Sequence, residues 1–517
     1  MKKALITTGF IWVVTVSFAQ SPSVRERTVG RTMATQEEII AKEYVFPERI
    51  YQSYLDTISK SITVQLRGLT NNGKKMNNKG KIVFYDMDTE KIKWSKKISY
   101  QTSRIIYQSG GTMLLTVVGI AAQSYCLNIE TGKKIWKAQN NIFFVDPDTQ
   151  IGIGYAITVP REQKTIEGIN LKNGKVIWKR ELNSEYGWND IFRLNDSVWM
   201  IVADGLHTVN IHNGSGWDYN TVTSKKDYRV SNVINAAGIV SGLLTGTFFI
   251  STGYNLVSNV ASNVYSDSTG FYFASKERIS RIRKDEGTEF WWSLLPEKLP
   301  SRSSIFVKAD TLFMINYGCA FMGVRQINFG MPFFTAFNKE YGEQIFSHTF
   351  NTSKNPILDF KVENDHILLV FKDKIVKHSL LDGSEILEKT INNNELGELK
   401  RFVGSRIYIE AENTFMKNLA LSDISKNYIF TSNNKVLIFD AELNIVGDID
   451  LNQLYIALMK INDCLLITKE NQTFLLDANN NKVAEIDMML QPILSGNKLY
   501  SIQEKSILEI DITPYSY

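Results

Sequence analysis

The chain has 517 residues, of which 44% are hydrophobic, 11% aromatic and 22% charged. Those proportions describe a globular protein and exclude a disordered or low-complexity chain. A net charge of +4 leaves no electrostatic footprint for a nucleic-acid partner.

The first element in chain order is an address. Lys2 and Lys3 form a basic start, Ala4 to Val16 is apolar but too short to span a bilayer, and Ser17-Phe18-Ala19 places small residues ahead of a cleavage point. This predicts a signal peptide over 1–19, cleaved after Ala19, and an exported product, periplasmic or secreted. The first cysteine is Cys126, so the leader has no lipid-attachment cysteine at its end. An N-terminal segment, 20–56, follows. Within it Thr35-Gln-Glu-Glu-Ile-Ile-Ala-Lys-Glu43 reads as a short helix, with Thr35 as N-cap and Glu38 three residues on.

From residue 57 to 517 the chain is organised by a repeat. Thr131-Gly132-Lys133-Lys134-Ile135-Trp136 returns 42 residues later as Asn173-Gly174-Lys175-Val176-Ile177-Trp178. A weaker form, Thr89-Glu90-Lys91-Ile92-Lys93-Trp94, stands 42 residues earlier. Asp86, Asn128 and Asn170 lie three residues before these turns, each after a short apolar strand. The unit reads as a β-hairpin. The Asp or Asn side chain accepts bonds from turn amides, Gly supplies a left-handed turn position, and Trp on the return strand is buried against a neighbour. Fainter copies place the turn position at Gly214, Gly287, Gly342, Gly383, Asn444 and Asn481. Starting from Glu90, the steps are 42, 42, 40, 73, 55, 41, 61 and 37, so three intervals hold insertions. One of the nine turns is open to reading as an extra hairpin between 383 and 444.

Two further strand-like runs lie between successive turns. Four short strands per repeat predict an all-β chain, a β-propeller of four-stranded blades. About eight blades are expected, within a range of seven to nine. Ser506 to Asp511 is a strand without a return partner, and Ile62 to Leu66 is expected to pair with it and close the ring. Trp94, Trp136, Trp178, Gly132, Gly174, Gly214, Asp86, Asn128 and Asn170 are read as structural.

Residues 230–266 carry no charge, and Gly238, Gly242 and Gly246 fall four apart within 236–250. On a helix they share one face. A short helical insertion at about 230–260 is expected. Isolated in water such a glycine-rich helix is unstable, so it must pack on the ring, on a partner or on a membrane surface.

No catalytic, cofactor-binding or metal-binding residue is assigned. Cys126, Cys319 and Cys464 lie in apolar runs and read as buried free thiols. The five histidines, His207, His212, His348, His366 and His378, show no metal spacing and read as surface or turn residues. Trp217-Asp218 reads as a chance dipeptide. Asp285 to Trp291 is faintly like a sialidase Asp box, but its register with the repeat makes it a turn.

The strand–Asp/Asn–turn–Gly–Lys–Trp pattern resembles the pyrroloquinoline-quinone-like (PQQ-like) repeat over about residues 60–512. That repeat builds the eight-bladed propellers of quinoprotein alcohol dehydrogenases. It also builds non-enzymatic propellers such as the outer-membrane assembly factors. The resemblance implies that the tryptophans dock one blade on the next. Quinoprotein dehydrogenases carry an adjacent Cys-Cys pair and acidic calcium ligands. This chain has no such pair, and its alignable Asp residues sit in turns. The resemblance therefore implies the non-enzymatic branch, without a cofactor. The expected function is an exported protein-binding scaffold of the bacterial cell envelope, with another envelope protein as partner. A quinone- or metal-dependent oxidoreductase acting in the funnel and a carbohydrate-binding propeller are the alternatives.

Overall fold

In the computed structural model, the described residues are 22–513, without 57–58, 100–102, 110, 118–122, 157–164, 183–189, 204, 221–256, 259, 323–324, 353, 412–414, 471 and 489–491. Apolar and polar residues alternate along short runs separated by turn residues, and these runs form strands. Eight separate four-stranded sheets result, each a meander in chain order apart from insertions. They span residues 49–99, 103–138, 140–181, 190–220, 265–294, 303–349, 359–390 and 399–450, here units one to eight.

An eleven-stranded sheet holds two more such meanders. Unit nine runs from Tyr455–Ile461 to Lys482–Ile486. The tenth is composite. Ile493–Ser495, Lys498–Ile502 and Ser506–Asp511 supply three strands, and Glu38–Val45 from the other end of the chain supplies the fourth. The described residues thus contain ten four-strand units. About eight were expected because nine turns were visible and one was open to a different reading. All nine turns join third and fourth strands, and in the tenth unit the chain ends replace that turn.

Buried apolar clusters join each unit to the next. Leu114, Cys126 and Trp136 of unit two meet Ile142 and Ile169 of unit three. Phe143 and Trp178 of unit three meet Ile201 and Val209 of unit four. The last link is between Tyr500 and Ile507 of unit ten and Ile62, Val64 and Tyr85 of unit one. This is the architecture of a β-propeller, in which each sheet buries both faces against its neighbours.

Two expectations are corrected at the seam. Thr35 to Glu43 does not form a helix; Glu38–Val45 is a strand, with Ile39, Ala41 and Tyr44 buried. The partner of Ser506–Asp511 is that strand, with Ala41 opposite Ile510 and Val45 opposite Ser506. Ile62 to Leu66 lies instead in the second strand of unit one, between Arg49–Asp56 and Lys79–Asp86. Residues 23–56 are therefore part of the ring. A further strand, Ser23–Thr32, pairs with Glu38–Val45 and also with Lys482–Ile486 of unit nine, which is why the two units share one sheet.

Candidate interaction face

Units one to seven are joined by one repeated contact. Trp136 of unit two donates from Nε1 to the carbonyl of Leu171 in unit three, at 2.7 Å. Its ring lies on Gly174, where a Cβ would stand 2.6 Å from the indole. Trp178 does the same to Ile211, at 2.7 Å, and Gly214 in unit four. Trp94 donates to the carbonyl of Ile129 and covers Gly132. Gly132, Gly174 and Gly214 also have φ of 64°, 72° and 74°, so each glycine answers both a left-handed backbone and a ring in contact. Asp86, Asn128 and Asn170 accept from the amides of Thr89, Thr131 and Lys172 at 2.8, 2.9 and 2.9 Å, closing the turns.

The contact continues where the sequence hid it. Trp217 donates to the carbonyl of Lys284 at 3.0 Å and covers Gly287, so it is the docking ring of unit four. It stands three residues after its turn glycine rather than four, which disguised it as a chance dipeptide. Trp291 docks on Gly342 and Phe346 on Gly383. In units eight and nine the left-handed residue is Leu443 or Asn480, one place before the expected Asn444 or Asn481, because those turns are one residue shorter.

Two histidines are interior rather than surface residues. His207 is wholly buried, with Nδ1 2.7 Å from Asp218, and Arg180 of unit three reaches the same carboxylate at 2.6 Å. Burial opposes the Asp218 charge, but the bonds from His207 and Arg180 hold its carboxyl below the usual range. His378 is buried with Nδ1 3.0 Å from the Gly383 carbonyl. All three cysteines are buried free thiols. Among the described residues no three His, Cys, Asp or Glu side chains gather closely enough to hold a metal.

In a meander, the third-to-fourth-strand turns lie at one end, and the second-to-third and unit-to-unit connections at the other. Two insertions at the second end meet each other. Residues 221–264 leave unit four and enter unit five. Cys319–Met322 and Arg325–Asn328 form a hairpin inserted in unit six. The two insertions meet, since Val257–Ser258 pairs with that hairpin through Met322 and Phe321. Val260 and Ala320 pack beneath, against Ile327 and Phe329. Arg302 lies over the rings of Tyr317 and Phe321, at 5.2 and 5.6 Å. This pairing joins the two insertions into one patch, and loops on a rigid ring are suited to recognition. The expected helix with Gly238, Gly242 and Gly246 lies outside the described residues.

Residues 74–293 match the family model described as outer membrane protein assembly factor BamB. The chain folds as a propeller, and the match identifies PQQ-like repeats within residues 74–293. The match runs across the units that carry docking tryptophans and stops where Phe346 takes over the contact. No curated protein matches the propeller. Among solved structures, BamB from Moraxella catarrhalis is 11% identical, with 80% of this chain and 98% of that chain covered and a TM-score of 0.33. The C-terminal WD40 domain of Sif2 is 10% identical, covering 81% and 98%, with a TM-score of 0.30. The dihydro-heme d1 dehydrogenase NirN is 9% identical, covering 76% of each chain, with a TM-score of 0.29.

Proposed function

We propose that the protein is an exported scaffold of the bacterial cell envelope that binds another envelope protein. The observation that carries this reading is the match of residues 74–293 to the assembly-factor family. The leader read in residues 1–19 supports export. The paired insertions support a binding role for the face that carries 221–264 and 319–328. Trp94, Trp136 and Trp178, with their glycines, hold the platform rigid in this reading and touch no ligand. Residues 230–256 are uncharged throughout, a composition suited to contact with a partner or a membrane surface.

The test is affinity capture from the organism's own envelope fraction. The mature chain is compared with a version in which 230–256 is replaced by a short Gly-Ser linker, leaving the Val257–Ser258 pairing intact. One stoichiometric envelope protein, lost with the segment, is the expected result. A deletion that folds normally and changes nothing, or a mature chain that captures nothing, contradicts the reading.

A further inference from the structure

Outer strands of propeller units are sheet edges, and natural edges are guarded by charged side chains. The internal repeat allows these guards to be compared position by position. Five residues after the turn glycine stand Lys137, Lys179, Ser347 and Glu388 in units two, three, six and seven; seven residues after it stand Gln139, Glu181, Thr349 and Thr390. Unit five breaks the pattern with Trp292 and Leu294 at these places. With Phe290 they form an alternating stripe on one face of Glu289–Leu294, exposed by 37%, 48% and 65% for Phe290, Trp292 and Leu294. The docking ring, Trp291, points the other way and is buried.

The stripe is held in place by cations. Arg278 lies 5.0 Å from the Trp292 ring, and Arg283 lies 4.1 Å from that of Phe290. Arg278 is neutralised by Glu289 at 3.0 Å, and Arg281 by Asp267 and Glu340. Exposed Arg283 has no ion pair among the described residues, while Asp285 and Glu286 bond within their own turn. Aromatic rings combined with arginine are the composition of binding hot spots. The same fold already accepts an added strand elsewhere. Ser23–Thr32 pairs with the outer strand of unit nine and sets Arg31 opposite Glu485.

We infer that the outer edge of unit five docks an extended segment of a partner protein, adding a strand to Glu289–Leu294. The occupant carries apolar side chains at alternate positions, to cover Phe290, Trp292 and Leu294, and a carboxylate to meet Arg283. This inference rests on the scaffold reading and names the partner's chemistry at a surface separate from the insertion patch.

The probe is a fluorescein-labelled octapeptide of alternating valine and threonine with an aspartate at each end. Saturable binding is expected, with slowed amide exchange over 289–294. The double variant Trp292→Lys with Leu294→Thr restores the polar pattern of the other units and is expected to weaken binding at least ~10-fold. It leaves cooperative unfolding unchanged, because both side chains are exposed. Ile177→Lys on unit three leaves binding unchanged. Absent binding to the natural sequence, or undiminished binding to the folded double variant, overturns the inference. So does a dimer of the natural sequence that the double variant abolishes, since a second copy would then be the occupant. Envelope capture unaffected by the double variant, with no peptide binding, overturns the edge site and leaves the scaffold reading standing.

Discussion

Units one to seven and the seam between units nine and one close the same ring by different physics. In the first region an aromatic side chain from each of units one to six lies on a glycine of the next, and the glycine is present because the ring needs its missing Cβ. Where no ring arrives, no glycine stands. Unit seven offers Leu387, and unit eight answers with buried Leu443. Unit ten offers Lys42, and unit one answers with Glu90, at 2.7 Å. At the seam, strand exchange replaces docking. Glu38–Val45 completes unit ten, and Ser23–Thr32 bridges units nine and ten. Beneath that bridge Glu43 is buried among Arg25 at 2.6 Å, Arg27 at 3.3 Å and Ser506 at 2.8 Å. Burial alone would raise its pKa, but bonds from Arg25 and Ser506 and the charges of Arg25 and Arg27 hold it below the usual range. Local contacts between sequential units can thus be written into a 42-residue repeat, whereas closure needs residues that the repeat does not contain.

The comparison can be broken most severely in the docked region. Trp178→Ala removes a buried ring and its hydrogen bond, and a loss of about 3–5 kcal/mol in urea unfolding is expected. At the seam, Glu43→Gln removes the buried carboxylate that pairs with Arg25 and Arg27, leaving Arg27 only its exposed contact with Asp487. A loss of about 1–3 kcal/mol is expected, with faster amide exchange confined to 23–45 and 506–511. Equal exchange changes throughout the ring would erase the distinction between the regions.

A smaller effect depends on pH. Burial pushes the His378 imidazole below its ordinary value, and the His348 ring lies 4.7 Å away. With the folded pKa below the unfolded one, the unfolded state takes up the proton more readily. The stability is therefore complete above about pH 6.5 and falls as pH drops below it, by at most about 1.4 kcal/mol per unit. Thermal unfolding from pH 7.5 to 5 is expected to show a shallower decline for His378→Gln than for the natural sequence. The smallest effect is at the exposed Lys42–Glu90 pair, where Lys42→Ala is expected to cost less than about 1 kcal/mol.

The two regions also differ in how far the sequence discloses them. The docking residues are local in each repeat, so Trp94, Trp136, Trp178 and the turn positions could be found by spacing alone. Trp217 escaped because one residue is missing between it and Gly214. The seam was illegible for a different reason. Glu38–Val45 has charges and apolar residues that suit a helix, and its partner is more than four hundred residues away in Ser506–Asp511. Tertiary pairing decides such a segment, and local propensity does not contain it. The pairing of Val257–Ser258 with the unit-six hairpin was hidden in the same way, since each insertion is readable alone but their meeting is not.

The docking mechanism is tested most directly by a double-mutant cycle on Trp136 and Gly174, read by urea unfolding. Gly174→Ala imposes a left-handed alanine and a Cβ 2.6 Å from the Trp136 ring. In a Trp136→Leu background the collision is gone, and only the backbone cost of roughly 1 kcal/mol should remain. The expected result is a coupling of at least ~1 kcal/mol between the two sites. Strictly additive losses would contradict the account, because glycine would then serve the turn alone and the ring would not depend on it.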